Sequence, residues 1–300
     1  MKSLCPEDRI LELSPERDFE EIARLLTTCA FAWDIERALE FALFRTYAIP
    51  SISGLLDRTG EFGRRAEKRY DDTELLLSEP LENGLGSPRG RAAIGRINEM
   101  HGCYRISNED MLYVLGTFVL EPVRWLERFG RRGMTIPERQ AWTNYYRGLG
   151  TRMGIADIPA DFDAFAAMNA DYERRHMRFA SSNRAVGAAT LDLLLGFYLP
   201  RPLFRLGRPM ALSLMDARLL EAMGFAPPPG WLRRGVLGAM RLRAGILRLL
   251  PRRRLPRLVT ARFRRGYPQG YEIAELGTWP KAGGCTGHRQ AEDVRPQPEC

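Results

Sequence analysis

Only three histidines occur in the 300-residue sequence, His101, His176 and His288. The first sits in the run Ile97-Asn98-Glu99-Met100-His101-Gly102-Cys103-Tyr104-Arg105. That scarcity narrows the chemistry. A histidine zinc site, a two-histidine facial triad and a serine-type relay each need several convergent groups that this chain can barely supply. A haem needs less, because the porphyrin gives iron four bonds and the protein adds one proximal imidazole, leaving the opposite face for oxygen or substrate. Arg69 and Thr73 are four residues apart and so share a helical face one turn apart. A helix pair that returns the chain from Arg69 and Thr73 to His101 would bring the three groups to one flat cofactor. The same residues admit a plainer reading, in which His101 is a satisfied core histidine and the Arg/Thr pair a solvated face.

Other motifs carry less. Glu173 and His176 have the ExxH spacing of di-iron bundles, but a full site needs a second ExxH and the chain has none. They read as helix-surface or packing residues, with His176 as a second polar group beside a haem the minor alternative. Gly84-Leu85-Gly86-Ser87-Pro88-Arg89-Gly90 places its third glycine one residue late for a dinucleotide loop, and no strand pattern precedes it. There is no Walker loop, GxSxG or HExxH.

The elements that must position these groups read as helices, because apolar residues recur at three and four. Asp18 to Ala48 forms one or two helices closed by Pro50. Leu55 to Glu79 forms one long amphipathic helix stopped by Pro80. A loop follows over Leu81 to Arg89, and Gly90 to Tyr104 is the helix that carries His101. Ser107 with Asp110 resembles a capping box and opens Met111 to Phe129, which Pro122 is expected to kink. Thr135 with Glu138 makes a cleaner box for a helix through Arg152. Helices over Ala160 to Phe179, Asn183 to Tyr198 and Met210 to Met223 precede the Pro227-Pro228-Pro229-Gly230 break. The fold class is therefore all-α, as a single large helical domain. Residues 1–230 form the body, 231–280 a basic amphipathic segment packed on the body or on a membrane surface, and 281–300 a polar, disordered tail.

Charge is unevenly spread. Lys and Arg number 45 against 37 Asp and Glu, and twelve arginines with no acid fall between Ala222 and Tyr271, so without them the net charge of +8 becomes −4. Interleaved with leucines, valine and isoleucine, this tract has the composition of a segment that lies on anionic lipid. Phosphate contact with nucleic acid is the weaker alternative, and a solvated helix face packed on the acidic body is the third. Five cysteines form no CxxC pair, which argues against a disulfide scaffold or zinc knuckle and for a reducing compartment. No signal-peptide pattern is present, and no apolar run approaches the roughly 20 residues of a spanning helix. The expected location is cytoplasmic, with peripheral membrane contact.

Three ordered blocks resemble the mpaB/rubber oxygenase catalytic domain family: Arg69-Tyr70-Asp71-Asp72-Thr73, then His101 through Tyr113, then Glu121-Pro122-Val123-Arg124-Trp125. Tyr172-Glu173-Arg174-Arg175-His176-Met177, Asn183 and Ala189 to Leu195 continue the likeness, which covers approximately residues 41–225. The resemblance implies an all-helical, globin-like core around a haem b pocket, with His101 as the proximal iron ligand. It implies that Arg69 and Thr73 orient bound oxygen or hydrogen-bond within the pocket. It further implies oxidative cleavage of carbon–carbon double bonds, or a related oxygenation, of a hydrophobic, isoprenoid substrate with dioxygen as the second partner; the sequence itself does not distinguish oxygen from peroxide as the oxidant. The likeness is closer to the mpaB-like branch than to latex clearing protein. That branch often carries an N-terminal membrane anchor, which this sequence does not show. Asp72 stands where rubber-cleaving members tend to have lysine, which counts against rubber itself. Leu76, Leu77, Met111, Leu115, Phe118 and Val119 are the candidate lining of an apolar channel, with ordinary helix packing as their plainer reading. The rival to an enzyme is a non-catalytic lipid- or nucleic-acid-binding module built on the arginine tract.

Overall fold

A computed structural model describes residues 5–277. Fourteen α-helices are formed among the described residues: α1 (Pro6–Ile10), α2 (Phe19–Leu25), α3 (Ala32–Tyr47), α4 (Pro50–Thr59), α5 (Glu61–Arg64), α6 (Ala66–Asn83), α7 (Pro88–Gly102), α8 (Asn108–Phe129), α9 (Ile136–Arg152), α10 (Phe162–His176), α11 (Ser181–Gly196), α12 (Phe204–Leu212), α13 (Ala217–Met223) and α14 (Gly230–Leu249). A π-helical turn joins α2 to α3. Among the described residues no strand forms, only two isolated bridges. The all-α expectation holds. The expected tail over 281–300, with His288, lies outside the described residues.

The centre is the crossing of α3 with α8, flanked by α9 and α10. Trp142 is fully buried there beside Tyr145, Trp125 and Phe129. Such rings bury large apolar areas and dominate core energetics. Gly116 lets α8 approach α10 closely, since a Cβ there would stand 2.0 Å from the Asn169 carboxamide oxygen. A second cluster joins α3, α8, α10, α11 and α13 through Phe44, Tyr47, Tyr113, Tyr172, Val186 and Met223.

Several local expectations are corrected. The long helix over Leu55 to Glu79 is three helices, because Gly60 takes a left-handed φ of 70° and Arg65 leaves helical geometry at φ −142°. Glycine tolerates the first conformation without steric cost. Pro50 does not close a helix but opens α4 as its first residue, where its missing N–H costs nothing. Pro80 does not stop α6, which runs on to Asn83 with Pro80 buried. The segment Met210 to Met223 is split between α12 and α13, with Asp216 capping the latter. The Thr135/Glu138 capping box is present in full, whereas Ser107 caps α8 without a reciprocal bond from Asp110. Cys5 and Cys29 are free thiols.

The hairpin of α6 and α7 matters most for the site. Gly84 ends α6 at φ 97°, and Ser87 caps α7 by accepting from the Gly90 N–H at 2.9 Å while donating to the Gly84 carbonyl at 2.9 Å. Gly90 has no room for a side chain, because a Cβ would fall 2.0 Å from the Gly84 carbonyl oxygen. The C-terminal segment then clamps the pair. Leu276 packs with Leu75, Leu76, Ala93 and Ile97, and Arg96 donates to the Leu276 carbonyl at 2.8 Å. Arg264 pairs with Asp71 and Glu74, and Tyr271 donates to Glu79. Four arginines of the basic tract are thus spent on the body or its flank: Arg243 on Asp34, Arg252 on Glu7 and Asp8, Arg262 on Glu36, and Arg264.

Candidate functional site

Arg69, Thr73 and His101 meet at a single cavity of about 470 Å3, within the range of roughly 300–1,000 Å3 usual for small-molecule sites. Its walls come from α3 and α4 (Leu43, Tyr47, Leu55, Leu56), α6 (Arg69, Thr73, Leu76, Leu77), α7 (Ile97, Met100, His101), α8 (Met111, Val114, Leu115, Phe118) and α9 (Leu149). The lining is mainly apolar. Of the six expected lining residues, Leu76, Leu77, Met111, Leu115 and Phe118 border the cavity, while Val119 is packed inside the core instead.

The polar groups are few and unusually placed. The Nδ1 of His101 is buried with no hydrogen-bond partner. Burial, and secondly the Arg69 guanidinium, pull the imidazole down to about 4, so at neutral pH it is uncharged with lone-pair electrons to give. Arg69 is half-buried and donates to the Thr73 hydroxyl, which itself donates to the Arg69 carbonyl at 2.8 Å. The i, i+4 spacing on α6 thus fixes guanidinium and hydroxyl against each other. Arg69 forms no ion pair among the described residues, and a half-buried cation without a counter-ion is suited to an acidic or electron-rich guest. Its field also reaches Tyr47, although burial dominates there and pushes the phenol up to about 12.

Arg58, Arg105 and Asp110 are further polar residues of the border, with Ser51, Thr59 and Tyr104 beside them in the lining. Arg58 and Arg105 are exposed and carry no ion pair among the described residues, whereas Asp110 is engaged by Ser51 at 2.8 Å and by Tyr172. Sequence reasoning missed Arg58, Arg105, Tyr47 and Asp110, because α4 and α3 are brought to the cavity by tertiary packing that no local spacing records. An exposed-looking Arg in a short loop after His101 was the one available signal.

Three other residues singled out in the sequence lie elsewhere. Asp72, the residue before Thr73, does not border the cavity; it is fully buried and bound by Lys68 at 2.7 Å and by Tyr267. Glu173 is a buried packing residue, paired with Arg45 at 2.7 and 2.9 Å and accepting from the Tyr113 hydroxyl at 3.1 Å. His176 stacks 4.5 Å from the Tyr172 ring and contacts Arg175, outside the cavity, so it is not a second polar group beside the candidate site.

One unpartnered neutral imidazole, a guanidinium without an ion pair among the described residues and an apolar slot are groups that could hold a haem. Among the described residues no group of three or more His, Cys, Asp and Glu converges.

The profile of the family described as "ER-bound oxygenase mpaB/B'/Rubber oxygenase, catalytic domain" matches residues 58–248. The chain is 35% identical over 211 residues to the ER-bound oxygenase mpaB' of Penicillium brevicompactum, covering 64% of this chain and 50% of that protein. It is 30% identical over 234 residues to the ER-bound oxygenase mpaB of Penicillium roqueforti (strain FM164), covering 72% of this chain and 78% of that protein. To the mpaB of Penicillium brevicompactum it is 32% identical over 210 residues, covering 63% and 53%. The chain thus spans about half the length of two of these curated relatives. With α5 through nearly all of α14 inside the matched region, the chain belongs to the mpaB/rubber oxygenase catalytic domain family.

Proposed function

We propose that this chain is a haem b-dependent oxygenase that acts on a hydrophobic substrate of the isoprenoid type, cleaving a carbon–carbon double bond with dioxygen. The observation that carries the reading is the convergence of a buried, unpartnered imidazole with an uncompensated guanidinium on one apolar cavity of about 470 Å3. The oxygenase names of the relatives support the reaction class. When bound, haem supplies an iron centre able to bind and activate dioxygen.

His101 on α7 would hold the cofactor through its ring nitrogen. Burial keeps that nitrogen unprotonated at neutral pH, so no proton has to be displaced first. Arg69 serves as hydrogen-bond donor and electrostatic stabiliser, not as a base. Thr73 holds the guanidinium in one orientation through the reciprocal contacts within α6. Arg58 and Arg105, both unpaired at the border, would meet the acidic side chains of the cofactor. Leu55, Leu76, Met111 and Phe118 exclude water and match a chain of methyl-branched alkenes. A surface-binding module without catalysis would account for the arginine tract but would leave this cavity without a role.

The test is turnover. Protein loaded with haem b is incubated with a linear polyprenyl compound under isotopically labelled dioxygen, and carbonyl products are read by mass spectrometry. The reading expects label in both new carbonyl groups, with Arg69→Ala retaining haem but losing most turnover. Unchanged turnover in Arg69→Ala, or no oxygen uptake with any isoprenoid by the loaded protein, would overturn it.

A further inference from the structure

We propose that the outer face of α14, together with the adjoining α12, docks the protein peripherally on an anionic lipid bilayer. The inference is independent of what the cavity binds. α14 has two unlike faces. On the inner one Leu237 and Met240 pack against the core, Ala244 is buried, and Arg243 pairs with Asp34 at 2.8 Å while lying 3.8 Å over the Trp33 ring. On the outer one Trp231, Leu242, Ile246 and Leu249 are 70%, 66%, 50% and 88% exposed. Trp231, Leu242 and Leu249 are separated by nearly whole numbers of turns at about 3.6 residues per turn, so they form one line along the helix. Gly235, Gly238 and Gly245 flank that line and meet no neighbouring atoms.

Beside the apolar line runs a cationic one. Arg234, Arg241 and Arg248 repeat every seventh residue and are exposed. Arg234 and Arg241 form no ion pair among the described residues, and Arg248 contacts only the Arg131 carbonyl, at 2.6 Å. No acid occurs anywhere in α14. The basic tract is therefore divided. Arg243, Arg252, Arg262 and Arg264 are bound by carboxylates of the body, while the outer arginines await a negative surface. α12 packs against α14 and adds Leu206 and Met210, 66% and 50% exposed, with Arg201 and Arg205 exposed beside them.

Large apolar side chains held in water next to arginines that find no acid are the composition of a helix lying in a bilayer interface, with rings and leucines among acyl chains and guanidinium groups on phosphates. A second copy of the chain is a poorer occupant. A symmetric contact through this face would bring unpaired arginines together with no acid on the helix to answer them. No described helix is long and apolar enough to cross a membrane, so the contact would be at the surface.

The experiment is co-sedimentation of the full chain with vesicles of phosphatidylcholine alone or with roughly 30 mol % phosphatidylserine, at low and high salt. The expected result is binding to the anionic vesicles only, weakened by salt and accompanied by a blue shift of tryptophan emission that Trp231→Phe removes. Leu242→Asp with Leu249→Asp, and separately Arg234→Gln with Arg241→Gln and Arg248→Gln, should each weaken binding at least about tenfold. Both sets replace exposed residues, and unchanged circular dichroism melting shows that the fold persists. No binding to anionic vesicles, or equal binding by the leucine variant, overturns the proposal. So does a concentration-dependent dimer that the leucine variant dissociates while vesicles bind neither form.

Discussion

Replacing Glu173 by alanine tests whether this carboxylate is structural or a metal ligand. Its two oxygens accept from the Arg45 guanidinium at 2.7 and 2.9 Å, and one also accepts from the buried Tyr113 hydroxyl at 3.1 Å. The pair ties α10 to α3 and α8, two helices that line the cavity. Breaking a buried ion pair by removing one partner costs about 3–5 kcal/mol, because the other charge is left without compensation. Two acids remain near Arg45, Asp216 in contact and Glu121 at 3.5 Å. The expected cost therefore falls at the low end, about 3 kcal/mol. For a chain of this size the unfolding entropy is roughly 0.6 kcal/mol per degree, so the melting temperature should drop by about 5 °C. Denaturant titration of the folded protein reads the free energy and differential scanning calorimetry the melting point. Glu173→Gln, which keeps the shape, should lose less. Neither variant should change haem content per folded molecule. A loss below about 0.5 kcal/mol in Glu173→Ala, or selective loss of iron in Glu173→Gln, would refute the structural role.

Other outcomes follow from the same geometry. Gly90→Ala should destabilise by about 1–3 kcal/mol and weaken haem retention, because its methyl group collides with the Gly84 carbonyl that closes the α6–α7 hairpin; unchanged stability in urea would contradict that packing. Gly116→Ala should cost a similar amount through Asn169, with cofactor content per folded molecule preserved. Burial pushes the Glu40 carboxyl up to about 7 despite Arg37 beside it. A carboxyl raised in the folded state makes folding weaken as pH rises from about 4.5 through 7, so Glu40→Gln should gain on the wild type by about 2 kcal/mol between pH 5 and 8. Parallel stability curves for the two proteins would disprove the burial effect.

The sequence speaks clearly where a feature is local. The turn between α6 and α7 is written in Gly84, Gly86, Ser87 and Pro88, and the Thr135/Glu138 box names its own helix start. Those signals suffice to bring His101 back against Arg69 and Thr73. Prolines were harder to read, because the same residue that ends a helix also begins one, as Pro50 does, or survives inside one when burial holds it, as Pro80 does. The breaks at Gly60 and Arg65 were hidden by apolar spacing that continues across them, from Leu55 and Leu56 to Phe62 and Ala66. The partners of the arginine tract were invisible for a different reason: Asp34, Glu36 and Asp71 lie some two hundred residues away in sequence and meet it only in the fold.

The central claim is that His101 holds a haem in the cavity between α3, α6, α7 and α8. Its most direct test is titration of the purified chain with haem b, followed by absorbance in the ferric, ferrous and carbonyl forms. The account predicts one equivalent bound, with a sharp Soret band that His101→Ala abolishes while its circular dichroism stays native. A folded wild-type chain that takes up no haem, or a His101→Ala variant that binds one equivalent with the same spectra, would contradict it.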